Sequence, residues 1–264
     1  METDLSGNID NGFASLYAEY ETLSRENFID IARRNTIRKH VESYLKPNDK
    51  ILEINAGSGI DAVYFAQKGH PVLATDISEG AENEIENKIK SSGLENLRFQ
   101  QCSFTALETI GNEKFDHVFS NFGGLNCTSD LVIVFKELDR LLHREGYASL
   151  VVMPPYYPWE MLAFLKGNKA AFRRFGNGVA NVGTQTIPVF YFTPRQVKSA
   201  FPNNFRHIKT RNIGTFYPSA HFSSFEKHQN TISKLIRFDD WINDSVLMPK
   251  GIGDYFIITF QKIN

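Results

Sequence analysis

Glu53, Gly57, Gly59 and Asp76 are the residues of this chain whose types and spacing can do chemistry together. The run Ile51-Leu52-Glu53-Ile54-Asn55-Ala56-Gly57-Ser58-Gly59 carries an apolar strand up to two near-adjacent glycines, where bare backbone can approach a ligand that a side chain would exclude. Asp76 closes the next apolar run, Val72-Leu73-Ala74-Thr75-Asp76, seventeen residues after Gly59. A carboxylate there can accept hydrogen bonds from both hydroxyls of a ribose. The two segments predict a nucleoside site whose turn includes Ala56 and Ser58 and whose far side includes Ile77.

The glycines alone leave two ligands open, because Gly57-x-Gly59-x-x-Ala62 also satisfies the dinucleotide pattern. Glu53 separates them. An acidic side chain four residues before Gly57, at the mouth of the site, repels a pyrophosphate but suits a cation, which favours S-adenosylmethionine over NAD. An NAD-dependent oxidoreductase leaves Glu53 unexplained, and no Tyr-x-x-x-Lys pair follows the fourth predicted strand. A third reading is a module that binds the methionine nucleoside without turnover.

With these residues in place the chain resembles the class I S-adenosylmethionine-dependent methyltransferases, whose first motif has the form E-x-G-x-G-x-G. Asn55 stands where that motif has its first glycine, and asparagine tolerates a left-handed backbone better than other non-glycine residues. The resemblance implies that Glu53, Asn55, Ala56, Gly57, Ser58, Gly59, Asp76, Ile77 and Asn121 surround the cofactor. It implies that Ser103 and Phe104 meet the adenine, with serine at a usually acidic position. Tyr17 and Tyr20 match an amino-terminal Y-x-x-Y, so residues 1–46 are expected to form a helical lid in which Tyr20 touches the methionine moiety. The string Ser120-Asn121-Phe122-Gly123-Gly124-Leu125-Asn126-Cys127, with Pro158-Trp159-Glu160 and Tyr191-Phe192-Thr193-Pro194-Arg195, is similar to a bacterial branch of small-molecule methyltransferases of unassigned substrate. That similarity runs from about Tyr17 to Phe260. It implies methyl transfer to an oxygen, nitrogen or carbon of a small, partly apolar acceptor held by Phe122, Asn126, Trp159, Tyr191 and Phe192.

Elements able to position these residues alternate along the chain. A helix is expected from about Asn27 to Leu45, then strand Lys50 to Asn55, helix Gly59 to Lys68, strand Pro71 to Asp76, helix Glu79 to Ser92 and strand Leu97 to Cys102. Strand Phe115 to Asn121, helix Asp130 to Leu142 and strand Tyr147 to Met153 follow. The fold class this predicts is α/β: a Rossmann-like, seven-stranded, mostly parallel sheet with a C-terminal antiparallel strand and helices on both faces. Arg206 to Gly214 and Tyr255 to Lys262 supply the last two strands, with a helix from Thr231 to Trp241 between them. Regularity fails at Pro154-Pro155-Tyr156-Tyr157-Pro158-Trp159, and Thr193-Pro194 restarts a helix. Residues 154–192 and 215–250 are therefore expected to be insertions forming an aromatic-rich substrate cap on a single domain of 264 residues.

Bulk composition narrows the partners. Twenty-nine basic against thirty acidic side chains leave a net charge of -1, so no long-range field draws nucleic acid, and a small-molecule substrate is expected instead. No apolar run approaches the length of a membrane span, and Met1-Glu2-Thr3-Asp4 lacks a leader's positive cluster. Cys102 and Cys127 lie in no metal-like spacing, so no metal site is expected, and their number suits a reducing cytoplasm. Cys102 reads as a strand-end residue. Among the histidines His70 is expected in a solvent-facing turn, and His221 is the one nameable candidate base; none is assigned a catalytic role. The sequence leaves the oligomeric state open.

Overall fold

The computed structural model describes residues 21, 24–165, 167, 174, 178–182, 185–220, 228–245 and 248–264. Helix α1 (Phe28–Glu42) starts at Asn27, whose side chain accepts hydrogen bonds from the backbone N–H groups of Ile29 and Asp30. The alternation that follows is β1 (Ile51–Ile54), α2 (Ile60–Gln67), β2 (Val72–Asp76), α3 (Glu79–Ser92), β3 (Leu97–Gln101), β4 (Phe115–Ser120), α4 (Leu131–Leu141) and β5 (Leu142–Val152). The segment after β5 holds α5 (Pro158–Leu165) and a hairpin of β6 (Gly178–Val182) and β7 (Gln185–Val189). After it come α6 (Pro194–Ala200), β8 (Phe205–Ile213), α7 (Gln229–Asn243) and β9 (Tyr255–Lys262). Helix α6 begins with a reciprocal cap between Thr193 and Gln196, with Pro194 in its first turn.

Seven strands form one sheet in the order β3-β2-β1-β4-β5-β9-β8. Strand β9 runs antiparallel to both neighbours and the other pairings are parallel, as the spacing of the elements predicts. Two outcomes differ. Strand β5 begins at Leu142, directly after α4, so His143 lies in a strand. The stretch after Met153 is not irregular throughout but contains α5 and the hairpin; the Tyr-Phe-Thr-Pro segment follows the hairpin and leads into α6.

Alternation along β1 splits the core between the two faces of the sheet. Leu52 and Ile54 join the cluster built with α4 and α6, whereas Ile51 joins Phe65, Ile85 and Phe119 beneath α1, α2 and α3. Glu53 shares its parity with Ile51. It is therefore delivered to the helix-covered face.

That face also carries buried polar groups. His40 Nε2 shares a 2.8 Å hydrogen bond with Thr259 Oγ1, which shares another of 2.8 Å with Ser149 Oγ. His117 is fully buried on β4 and stacks on Tyr147, and neither ring nitrogen has a hydrogen-bond partner among the described residues. Burial drives the pKa values of His40 and His117 down to about 3, with Lys209 and Arg211 adding to the effect at His40. The folded state thus prefers neutral imidazoles, and their contribution is fully present above the ordinary value of about 6.5 and lost as pH falls toward 3. For His117 the expected loss is about 1 kcal/mol between pH 6.5 and 5.5. Urea unfolding of the wild type against His117→Phe at the two pH values isolates it; equal pH slopes would contradict the assignment. His70 departs from its expected exposure: it is 9% exposed and bonds the Asp49 carbonyl at 3.0 Å.

Candidate functional site

Three residues in the turn after β1 take positive φ: Asn55 at 58°, Gly57 at 54° and Gly59 at 76°. Asparagine accepts this left-handed conformation when its side chain finds a local partner. Asn55 Nδ2 donates to Ser120 Oγ at 2.9 Å, tying the turn to the end of β4. Gly124 must lack a side chain for that to happen, because a Cβ there would lie 2.6 Å from Asn55 Cβ. Gly59 is needed for another reason: a Cβ on it would meet Ile85 Cγ1 at 2.5 Å, so it admits α3 against the start of α2.

Asp76 closes the turn from the other side. Its Oδ2 accepts the Gly57 N–H at 2.9 Å and its Oδ1 accepts the Ser78 N–H at 3.1 Å. A carboxylate offers about four lone-pair positions in all. Ala56 donates its N–H to the Thr75 carbonyl at 2.9 Å, which locks the turn to β2. Ser58 is buried, and its carbonyl accepts from Lys88 Nζ, which also pairs with Glu21. Ile77 is half-buried beside Asp76.

Glu53 does not stand at the mouth. It is 2% exposed beneath α1 and α2, and its Oε2 has no hydrogen-bond partner among the described residues. Its neighbour in this pocket is Asp61, in the first turn of α2, which pairs with Arg34 Nη1 and with Arg38 Nε, the latter at 2.7 Å. Asn121 Nδ2 also donates to Asp61, at 2.6 Å, so Asn121 reaches the site through this carboxylate. Burial pushes the Asp61 pKa up, and Arg34 and Arg38, with help from Asn121, bring it below its usual range. For Glu53, burial and then the Asp61 charge drive the pKa well above the usual carboxyl range against the pull of the same arginines. The Asp76 charge pushes Glu53 the same way. Arg34 and Arg38 are spaced four apart on one side of α1, and a reading confined to the strand-loop motif misses them.

The remaining expected site residues scatter more widely. The Ser103 hydroxyl is engaged with Thr105, accepting its N–H at 3.2 Å, and Phe104 packs against the α4-side core. Cys102 is buried just past β3, and its N–H bonds the Asp76 carbonyl at 2.9 Å. Phe122 sits at φ 45°, packs edge-to-face on Tyr255 with centroids 5.6 Å apart, and lies under the Arg34 guanidinium at 4.5 Å. Asn126 is not at a cavity wall. It is fully buried, donates to the carbonyls of Met153 and Phe190, and accepts the Met153 N–H at 2.9 Å, so its amide joins β5 to the end of the hairpin. Trp159 and Tyr191 are half-buried, and Tyr191 faces the Arg174 guanidinium at 5.5 Å. Phe192 packs on the core with its N–H on the Met153 carbonyl at 3.3 Å. Tyr17, Tyr20 and His221 lie outside the described residues.

Residues 51–146 match the family described as "Methyltransferase domain". The chain is 27% identical over 164 residues to a demethylmenaquinone methyltransferase of Bacteroides fragilis, an alignment that takes in 60% of this chain and 65% of that protein. The chain thus spans just under two thirds of this relative's length. Among solved structures it superposes with a TM-score of 0.61 and 17% identity on the Burkholderia thailandensis 1,6-didemethyltoxoflavin-N1-methyltransferase with bound 1,6-didemethyltoxoflavin and S-adenosylhomocysteine, covering 100% of this chain and 91% of that one. A geranyl diphosphate C-methyltransferase from Streptomyces coelicolor superposes with a TM-score of 0.56 at 12% identity, over 87% of this chain and 79% of that one. At such identities the likeness is one of fold.

Proposed function

We propose that this chain, which belongs to the class I S-adenosylmethionine-dependent methyltransferases through its domain at residues 51–146, moves the sulfonium methyl group to an oxygen, nitrogen or carbon atom of a small, partly apolar molecule. The observation that carries the reading is the pair of carboxyls flanking the glycine turn. Asp76 closes β2 beside the turn, where a carboxylate suits a ribose, and buried Glu53 has an oxygen without a hydrogen-bond partner among the described residues, suited to a cationic amino-acid end. Gly57 and the backbone of Ala56 and Ser58 form the floor between them, with Asn55, Ile77, Ser103 and Phe104 around it.

The methyl group of a sulfonium is already activated. The chain's own contribution is to bind it, hold the acceptor in line with carbon and sulfur, and exclude water. Phe122 stands at the end of β4, and with Trp159, Tyr191 and Phe192 it supplies apolar surface for the acceptor. A pyrophosphate fits poorly beside the half-buried Asp76 carboxylate and the buried Glu53, which favours the methionine nucleoside over NAD. The names of the relatives support a small-molecule acceptor, and transfer rather than binding alone.

Calorimetry against S-adenosylmethionine, S-adenosylhomocysteine and NAD at several pH values tests the reading. Glu53 is protonated in the free protein below its raised pKa, and a ligand ammonium beside it favours the ionised form. Binding of the methionine nucleosides is therefore expected to release a proton. Affinity should rise by up to about tenfold per pH unit below that pKa and level off above it, and Glu53→Gln should flatten the profile. Binding of NAD in place of the nucleosides would overturn the cofactor; a flat wild-type profile would remove Glu53 from it. A methyl-transfer screen with hydroxyl, amine and carbon acceptors then separates an enzyme from a binding module.

A further inference from the structure

Helix α5 reverses the usual polarity of a surface helix, which turns its apolar stripe to the core and its charges to water. At about 100° per residue Met161, Leu162 and Phe164 fall on one side of α5, and they are 47%, 53% and 39% exposed. Glu160, the one charged residue of this helix, faces inward. Arg174 forks onto it through Nε at 2.8 Å and Nη2 at 3.2 Å, and Asp254 holds the same guanidinium at 2.7 Å. Rolling α5 over to hide its apolar side would strip a buried guanidinium of a carboxylate, so the fold fixes the exposure. Tyr156, itself half-exposed, accepts the Gly253 N–H at 2.9 Å through its carbonyl, which anchors the start of α5 just before β9. Strand β9 starts beside the end of β5, so α5 stands at the edge of the sheet that carries the glycine turn.

Charge is segregated in the same part of the chain. From Met161 to Asn204 the sequence has six Lys and Arg residues and no Asp or Glu, although the whole chain carries a net charge of -1. Arg174 is neutralised by Glu160 and Asp254, which leaves Lys166, Lys169, Arg173, Arg195 and Lys198 as the excess. Arg195 and Lys198 lie exposed on α6. An apolar stripe and a local excess of cations together suit a partner that is anionic at its surface and apolar just beneath. A second copy of the chain fits less well, because two-fold contact sets the same cations opposite one another. Nucleic acid supplies the charge but leaves Met161, Leu162 and Phe164 uncovered. We propose that α5 docks this chain on an anionic lipid bilayer, with Met161, Leu162 and Phe164 entering the boundary between headgroups and acyl chains. Docking of this kind needs no cofactor and stands apart from the methyl-transfer reading.

Co-sedimentation of the full chain with lipid vesicles tests the docking. Vesicles with about one-third phosphatidylglycerol in phosphatidylcholine are expected to bind at least about tenfold more tightly than phosphatidylcholine alone, and about 0.5 M salt should remove most of the difference. Leu162→Gln combined with Phe164→Gln leaves every charge in place and should weaken binding to the anionic vesicles by about tenfold, the worth of two half-exposed apolar side chains. Both positions face water, so the melting temperature should hold within about 2 °C and S-adenosylhomocysteine affinity within about twofold. Equal binding to the two kinds of vesicle, no binding at millimolar lipid, a preference for duplex RNA over the vesicles, or anionic binding that the double substitution leaves unchanged would overturn the proposal. So would a wild-type dimer that the same substitutions split into monomers, because the face then belongs to a second copy. If the anionic vesicles bind and S-adenosylhomocysteine does not, the methyl-transfer reading falls and the docking surface stands.

Discussion

Replacing Asp61 with alanine is expected to lower folding stability by about 3–5 kcal/mol, read as the shift in the urea midpoint at unchanged slope. Asp61 is the carboxylate shared by Arg34 and Arg38 and reached by the Asn121 amide, and its side chain is 3% exposed. Its loss leaves buried guanidinium groups with one neighbouring acid, Glu53, which must then ionise to replace it. The rescue has a consequence that a purely local ion pair lacks. Glu53→Gln alone is expected to change stability little, because the carboxyl is already protonated, whereas Asp61→Ala with Glu53→Gln should cost more than the sum of the two. Additivity within about 0.5 kcal/mol would show that the two acids do not share the arginines.

Asp76→Ala is expected to weaken S-adenosylhomocysteine binding by about 2–3 kcal/mol, roughly 30- to 150-fold, from the loss of two charge-assisted hydrogen bonds to the ribose. The same carboxylate clasps the Gly57 and Ser78 N–H groups, so alanine also releases the turn. Asp76→Asn separates these contributions: it keeps one accepting oxygen and loses the charge, and about a tenfold loss is expected. An alanine variant with an unchanged dissociation constant would remove Asp76 from the site.

The parts legible in the sequence are those in which neighbouring residues settle the matter. Left-handed backbone at Asn55, Gly57 and Gly59, the capped start at Thr193-Pro194, and the alternation of strands with helices all follow from φ preferences and side-chain periodicity within a few residues. The burial of Glu53 was within reach too, since helices on both faces of the sheet leave no side of β1 in solvent. Asn126 departs from its expected place because its partners are distant in sequence. A loop asparagine looks available to a ligand until its partners, the carbonyls of Met153 and Phe190, arrive from 27 and 64 residues away.

Adjacent residues therefore dictate the strand-turn-helix with its left-handed turn, the carboxylate that closes β2 beside it, and the seven-stranded α/β plan. Only the tertiary structure decided which charges meet. Arg34 and Arg38 reach Asp61 across 27 and 23 residues, and Arg174 reaches Asp254 across 80. Backbone conformation depends on adjacent residues and can be read from them. The fate of a buried charge depends on which distant charge is brought within a few ångströms, and folding alone sets that distance.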